Sequence, residues 1–446
     1  MVKKIKRKQK PPIRKTLILT LILIICIGIL FLTKIPLSNN NSNTNNEEDI
    51  IKNILTYKLE ESVNISFLEW ISKEYSIEVL KELEKYLQEN NYNPTIWHQL
   101  TNNSLIVLQD KYNAITSNRI KELTTNNTNE ITLSFVGDIS LADNWYIMPK
   151  YDERGKKIYG ILSKDVVDIM TDSDIMVANN EFTISNRGEK LPNKYYTFRA
   201  SPDRLAIYQE MGIDLVTLAN NHVYDFGEEA FNDTLEYLEQ YKIPYIGAGR
   251  NIEEAKAPFY YIINGYKIAF VNANRSEKYI LTPEANETSG GVLRCYDPTT
   301  FINVISNAKQ NSDFVIALVH WGKEDSSELE QVQIDTSKQY IDAGADIIIG
   351  THAHTLQGID FYNNKAIIYN LGDFIFNNET KDTAIFQLKI DSNGNFTYYF
   401  LPCKEENEYT SLLTGSEQVR VLNKIRNLSP NITINEAGEI TPNNTN

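Results

Sequence analysis

DIIIGTHAHTLQG, Asp346 to Gly358, sets three consecutive isoleucines directly before Gly-Thr-His-Ala-His. A short apolar run closed by a glycine reads as a buried strand, which puts His352 and His354 where a strand opens into a loop. The chain has only five histidines in 446 residues, and two of them stand here one residue apart. Their spacing asks what they hold.

Working outward, the same form recurs four times. From Ile131 onward, short apolar runs alternate with amphipathic stretches, the pattern of an α/β domain. ITLSFVG ends in Gly137-Asp138, DIMVAN runs into Asn180-Glu181, IDLVTLAN into Asn221-His222, and DFVIALV into His320-Trp321-Gly322. Between them, SPDRLAIYQEMG offers Ser201 as N-cap, Pro202 at the first helical position and Gly212 as the stop. Glu228 to Lys242 and Ser327 to Gly344 read as further helices.

Ligands of open α/β sheets bind at the C-terminal ends of the strands. Five strand ends are therefore predicted to deliver two carboxylates, an amide oxygen and four imidazoles to one rim. Each piece alone has an ordinary explanation: a turn at Asn221-His222, a core residue at His320, a surface pair at His352 and His354. Their conjunction carries the reading. Imidazole mixed with carboxylate and amide oxygen suits a divalent transition metal such as manganese, zinc or iron, and the absence of clustered cysteines argues against a structural zinc knot. The candidates outnumber the ligands of one tetrahedral ion. Two ions about 3.5 to 4 Å apart and sharing a carboxylate would use them, in the manner of sites that activate water for attack at phosphorus or a carbonyl.

The rest of the chain sets the context. Residues 1 to 16 contain eight Lys/Arg and no acid, and Leu17 to Leu32 is almost unbroken apolar sequence. A helix over residues 17 to 35 is long enough to span a bilayer, with the basic tail on the cytoplasmic side. No small-residue cleavage pattern follows it, so an uncleaved single-pass anchor is expected, with the remainder outside the cell membrane. Taking the tail's eight positive charges out of the total of −14 leaves −22 for residues 17 to 446. That field excludes nucleic acid as an expected partner. Residues 36 to 49 read as a polar linker and residues 50 to 123 as a small helical region, in which His98 has no ligand-like neighbour. Cys295 and Cys403 are the only cysteines beyond the anchor; they would be able to pair in an oxidising compartment, although lone cysteines are more often simply buried.

A family resemblance rests on these residues. SFVGDISL, ANNEFTIS, YTFRASPDRL, LANNHVYDFGEEAFNDTLEYL, IPYIGAGRNIEEA, ALVHWGKE, AGADIIIGTHAHTLQGID and IYNLGDFIF stand in order and spacing. In this the chain resembles the bacterial CapA family, the poly-γ-glutamate capsule synthesis proteins, over residues 131 to 404. Residues 405 to 446 then form a C-terminal extension in which VRVLNKIRNLS, Val419 to Ser429, resembles a closing helix. The family is similar to calcineurin-like metallophosphoesterases, which implies an αββα layered sandwich with a dinuclear centre. By that resemblance Asp138 is a ligand of the first metal, Glu181 the bridging carboxylate, and Asn221 and His320 ligands of the second, with His352 and His354 completing the sites. His222 is implied as a proton or hydrogen-bond donor to a developing oxyanion or leaving group, oriented by Asp225. Three departures stand out: Ser140 where a ligand histidine is usual, Asp373 where asparagine is common, and Ala353 for a frequent proline.

Three functions follow as expectations. One is a membrane-anchored component of anionic polymer synthesis or export with a metal-dependent hydrolase or transfer site. Another is an extracytoplasmic metallophosphoesterase acting on envelope or nucleotide phosphates. The last is a non-catalytic scaffold of a synthesis or export complex. Arg199, Lys194 and Lys323 are the cations placed near the rim to meet an anionic substrate.

Overall fold

The computed structural model describes residues 119–125, 127–277 and 281–443. The basic tail, the expected membrane span, the linker and most of the helical region lie outside the described residues. Among those described, no helix is long and apolar enough to cross a membrane.

The strands that build the domain are β1 (Glu130–Ile139), β2 (Ile175–Asn180), β3 (Leu215–Thr217), β4 (Tyr245–Ile246), β5 (Phe259–Ile263), β6 (Tyr266–Asn274), β7 (Phe314–Trp321), β8 (Ile347–His352), β9 (Lys365–Ile368), β10 (Asp373–Ile375), β11 (Lys381–Asp391) and β12 (Phe396–Glu405). They form two mixed sheets. The first runs β12-β11-β1-β2-β3-β4, with β10 beside the end of β1; the second runs β5-β6-β7-β8-β9. The β1-β2-β3-β4 and β6-β7-β8-β9 blocks are parallel, while β11, β12 and β5 pair antiparallel.

Strand alternation explains why two sheets form. Leu133, Phe135, Ile175, Val177 and Leu215 of the first sheet share a buried cluster with Ile268, Phe270, Ile316, Leu318, Ile347 and Ile349 of the second. The intervening residues point the opposite way, because successive side chains on a strand face opposite sides. Met176, Ala178 and Val216 meet α1 (Lys164–Thr171) and α2 (Gly227–Gln240) on the outside of the first sheet. Val315, Ala317, Val319 and Ile348 meet α3 (Thr299–Gln310) and α4 (Gln331–Asp342) on the outside of the second. Strands buried on both faces read as near-continuous apolar runs, as DFVIALV and DIIIG do, whereas ITLSFVG sets Thr132 and Ser134 on the face opposite Leu133 and Phe135.

The two sheets accord with the layered sandwich that the resemblance implies, and replace the single open sheet from which one rim is read. Three of the five runs lie in the first sheet and two in the second, and their C-terminal ends meet across the sandwich. The segment read as helical up to residue 123 also ends differently: Ile120–Glu122 is a strand paired parallel with β5. The extension after residue 404 is woven into the same domain. Its helix, α5 (Gly415–Leu428), buries Val421, Leu422 and Ile425 in the core between the sheets, and Glu439–Pro442 pairs with β12. Ser201 stands at the N-cap position of a 3-10 turn, Pro202–Leu205, without a side-chain capping bond; the turn leads into Ala206–Glu210, and Gly212 takes a positive φ of 69°. Helix α4 starts later than the sequence suggested, at a capping box made by Glu330 and Gln333. Cys295 and Cys403 are both free and buried, so they do not pair.

Candidate metal centre

The closeness of strands at the site depends on small residues. At Gly137 a Cβ would run into the Gly372 carbonyl oxygen, the same oxygen that accepts the Asp138 N–H at 2.9 Å. Glycine thus lets β10 lie against the end of β1, in the register Asp373 to Asp138. The fully buried Asp138 carboxylate accepts from Asn179 Nδ2 at 2.8 Å and from the His352 N–H at 3.1 Å. The first of these bonds ties β1 to β2, and the second ties the first sheet to the second.

Asn179, which the sequence reading passed over for the following Asn180-Glu181, is the hub. Its Nδ2 also donates to Glu181 Oε2 at 3.1 Å, while its Oδ1 accepts from Thr217 Oγ1 at 2.9 Å and Asn220 Nδ2 at 3.2 Å. Asn220 Oδ1 in turn accepts the N–H groups of His222 and Val223 at 2.9 and 3.0 Å. That turn fixes Asn221 and His222 at the exit from β3.

Glu181 occupies the middle. Its Oε1 is buried and has no hydrogen-bond partner. Three imidazole nitrogens nevertheless surround it: His320 Nε2 at 3.7 Å, His354 Nε2 at 3.7 Å and His222 Nε2 at 3.9 Å. These separations are too long for hydrogen bonds. Two groups come within ligating range of a common point, Asp138 with Glu181 and His354, and Glu181 with His320 and His352. Glu181 belongs to both. Asn221 adds an amide oxygen beside the second group, its Oδ1 lying 2.8 Å from His320 Nε2. All six residues expected as ligands, Asp138, Glu181, Asn221, His320, His352 and His354, are therefore brought together.

Electrostatics point the same way. Burial raises the Glu181 carboxyl well above its ordinary range, with the Asp138 charge adding to it, and burial also raises Asp138. Burial and neighbouring histidines push His320 and His352 well below theirs, which keeps both rings neutral with lone pairs to offer. Burial would lower His354 too, but the Asp373 charge and hydrogen bond override it and hold the ring up at about 9. His352 and His354 sit at φ 94° and 51°, a left-handed backbone that non-glycine residues adopt rarely and that clusters at functional sites.

His222 and Asp225 form the expected pair. His222 Nδ1 lies 2.8 Å from Asp225 Oδ2, which also accepts the Phe198 N–H at 2.7 Å. Burial lowers His222 despite the Asp225 charge. Lys194, expected as a rim cation, is instead buried behind this pair: its Nζ bonds Asp225 Oδ1 at 2.8 Å, Glu277 Oε1 at 3.2 Å and the Asn221 carbonyl oxygen. Arg199 lies over the Phe226 ring, 4.1 Å from its centroid, and donates to the Arg187 and Gly188 carbonyls. Of the three cations only Lys323 remains as an exposed side chain. Ser140, in place of the usual histidine, has a buried Oγ with no partner.

The family profile described as "Bacterial capsule synthesis protein PGA_cap" matches residues 132–378. The PGA biosynthesis protein CapA of Bacillus subtilis is 30% identical over 275 residues, covering 60% of this chain and 70% of the relative. The capsule biosynthesis protein CapA of Bacillus anthracis is 30% identical over 235 residues, 50% of this chain and 56% of the relative. Among solved structures, a hypothetical protein from Thermus thermophilus superposes with a TM-score of 0.38 at 15% identity, covering 62% of this chain and 100% of that one. A 5'-nucleotidase from Candida albicans gives 0.33 at 10% identity, covering 61% and 52%.

Proposed function

The chain belongs to the bacterial capsule synthesis protein PGA_cap family, and from that premise we propose that it is a membrane-anchored, extracytoplasmic hydrolase or transferase of poly-γ-glutamate-type surface polymer synthesis, working through a two-ion centre. One observation carries the reading. Glu181 Oε1 is a buried carboxylate oxygen without a partner, shared by two ligand groups. An uncompensated buried charge is costly, and coordination of a cation is one of the few ways to satisfy it.

Asp138, Glu181 and His354 would hold one ion, and Glu181, Asn221, His320 and His352 the other. When bound, such ions supply Lewis acidity toward a carbonyl or phosphoryl oxygen. The chain's own residues do the rest. His222 turns Nε2 toward the centre while Asp225 holds the proton on Nδ1, so Nε2 is oriented to take a proton from water and pass it to a leaving group. Lys194 balances the charge of Asp225 from behind, which leaves it no hydrogen for a substrate. The ions themselves, not a lysine or arginine cluster, would then have to offset the repulsion between an acidic ectodomain and an anionic polymer. The anchor rests on the apolar run and basic flank at the N-terminus. Resistance of the protein to alkaline extraction from membranes tests it.

The functional test pairs metal content of the purified full-length chain, by mass spectrometry, with turnover of poly-γ-glutamate and of a chromogenic phosphodiester under added manganese or zinc. Near two ions per chain, with polymer cleavage lost in His222→Ala, is the expected result. Turnover of the phosphodiester alone would move the protein to envelope or nucleotide phosphates. Metal-free protein whose polymer yield in cells survives alanine at every ligand would leave only the scaffold role.

A further inference from the structure

The two ligand groups differ in a way that points to one more residue. The Glu181, His320 and His352 group offers two imidazoles, whereas the Asp138, Glu181 and His354 group offers one. The orientation of that single ring decides whether the one-imidazole group can form at all. Yet His354 comes from the loop after β8, not from a strand, and is the least buried of the site's histidines, its side chain 15% exposed. Something has to hold it.

Two contacts do. The ring lies against Phe376, with centroids 4.7 Å apart. Its Nδ1 lies 2.6 Å from Asp373 Oδ1, and the other oxygen of Asp373 accepts from Asn377 Nδ2 at 3.1 Å. Asp373 is fully buried on β10, in register with Asp138 on the neighbouring β1. Its place is thus set by the same strand pair that sets the first ligand. An ionised carboxylate only accepts hydrogen bonds, so this contact places the proton on Nδ1. Nε2, 3.7 Å from Glu181 Oε1, is left facing the centre, the nitrogen that would give up its proton to take an ion. Asp373 is not within either ligand group, so it acts through His354.

We propose that Asp373 is the positioning residue of the one-imidazole site: it fixes the tautomer and direction of His354, adds negative charge beside it, and so sets the affinity of the ion held with Asp138 and Glu181. The inference rests on the two-ion reading above. Outer partners of this kind orient metal-ligating imidazoles and raise their basicity, and their loss typically weakens metal affinity by about 10- to 100-fold. The second site, whose histidines make no contact with Asp373, keeps its affinity.

The experiment is calorimetric titration of the metal-stripped full-length protein with manganese or zinc, comparing wild type with Asp373→Asn. Two binding steps in wild type, of which one weakens about 10- to 100-fold in the variant while the other is unchanged, is the expected result. Two unchanged steps in a variant with wild-type melting behaviour would overturn the role of Asp373 while leaving the two-ion reading intact. Absence of binding in wild type would overturn both. Nitrogen NMR of 15N-histidine-labelled, zinc-loaded wild-type protein reads the same point without a variant. A proton on His354 Nδ1 supports the role, and a proton on Nε2 refutes it.

Discussion

Replacing Glu181 by glutamine separates the two things its carboxylate does. In the ion-free protein Oε1 is buried without a partner, and burial with the Asp138 charge raises the carboxyl well above its ordinary range. A carboxyl whose folded-state pKa is raised gives stability at acid pH that is lost as pH climbs past its unfolded value. At neutral pH the charge is therefore a liability that a neutral isostere removes. Ion-free Glu181→Gln is expected to melt no lower than ion-free wild type at pH 7, and higher as the pH is raised. With ions the order reverses. A ligand present at 100 times its dissociation constant stabilises by about 2.7 kcal/mol, and for a domain of this size each kcal/mol moves the melting temperature by about 2 °C. Wild type should rise by about 5 °C per ion under that condition, and the variant, which loses a ligand shared by both groups, by little. Scanning calorimetry with chelator and with added manganese gives all four values. A variant that melts several degrees lower without ions, or that keeps the full ion-induced rise, would refute the assignment of Glu181 as the shared ligand.

Other expectations follow from the same structure. His222→Ala should lower turnover by about 10²- to 10⁴-fold, the range of a lost general acid, with metal content unchanged because Nε2 and Nδ1 lie outside both ligand groups; steady-state kinetics beside metal analysis checks this. Phe386→Ala empties a fully buried position in the core between the sheets and should cost about 3 to 5 kcal/mol in denaturant unfolding. Gly350→Ala would drive a Cβ into the Tyr369 carbonyl and the Trp321 indole nitrogen, breaking the 3.0 Å bond between them; a loss of about 1 to 3 kcal/mol or more is expected, read by the same unfolding curves. Burial pushes both the Cys295 and the Cys403 thiol up to about 12, so neither should react with a thiol reagent at pH 8 until the domain is unfolded, as peptide mapping of the labelled protein would show.

The ligand residues were legible because metal chemistry restricts their types and strand ends restrict their places. Histidine is scarce in this chain, and four of its five copies fall directly after apolar runs. What the sequence did not carry was the partition of those runs between two sheets. ITLSFVG and DFVIALV are both short apolar-rich runs that end at a site residue, and periodicity cannot say which neighbour a strand will choose. Lys194 was misplaced for a related reason. Its charge suggests solvent, but Asp225 and Glu277 pair with it inside the protein, and the last of these is 83 positions away in sequence. Asp373 was visible as a departure from the family pattern and His354 as a candidate ligand, but their pairing was not, because the two meet only when β10 is laid against β1.

The division into two sheets also explains how the site can be both rigid and asymmetric. Asp138, Asn179 and Glu181 stand on or directly after adjacent parallel strands of the first sheet, cross-braced by the Asn179 amide. His320 stands on β7 and His352 ends β8, neighbouring strands of the second sheet in which Trp321 pairs in register with His352. The first sheet thus brings both carboxylates and the Asn221 amide, and the second brings the imidazoles of His320, His352 and His354. Glu181, reaching from one toward the other, is where they meet. Carboxylate-rich sites suit harder ions and imidazole-rich sites suit borderline ones, so the Asp138 side and the His320 side are built to differ in preference. Protein titrated with manganese and zinc together should then carry both metals, with manganese favoured beside Asp138. Loading with two zinc ions at every ratio tested would show that the shared carboxylate, and not the sheet each ligand comes from, sets the selectivity.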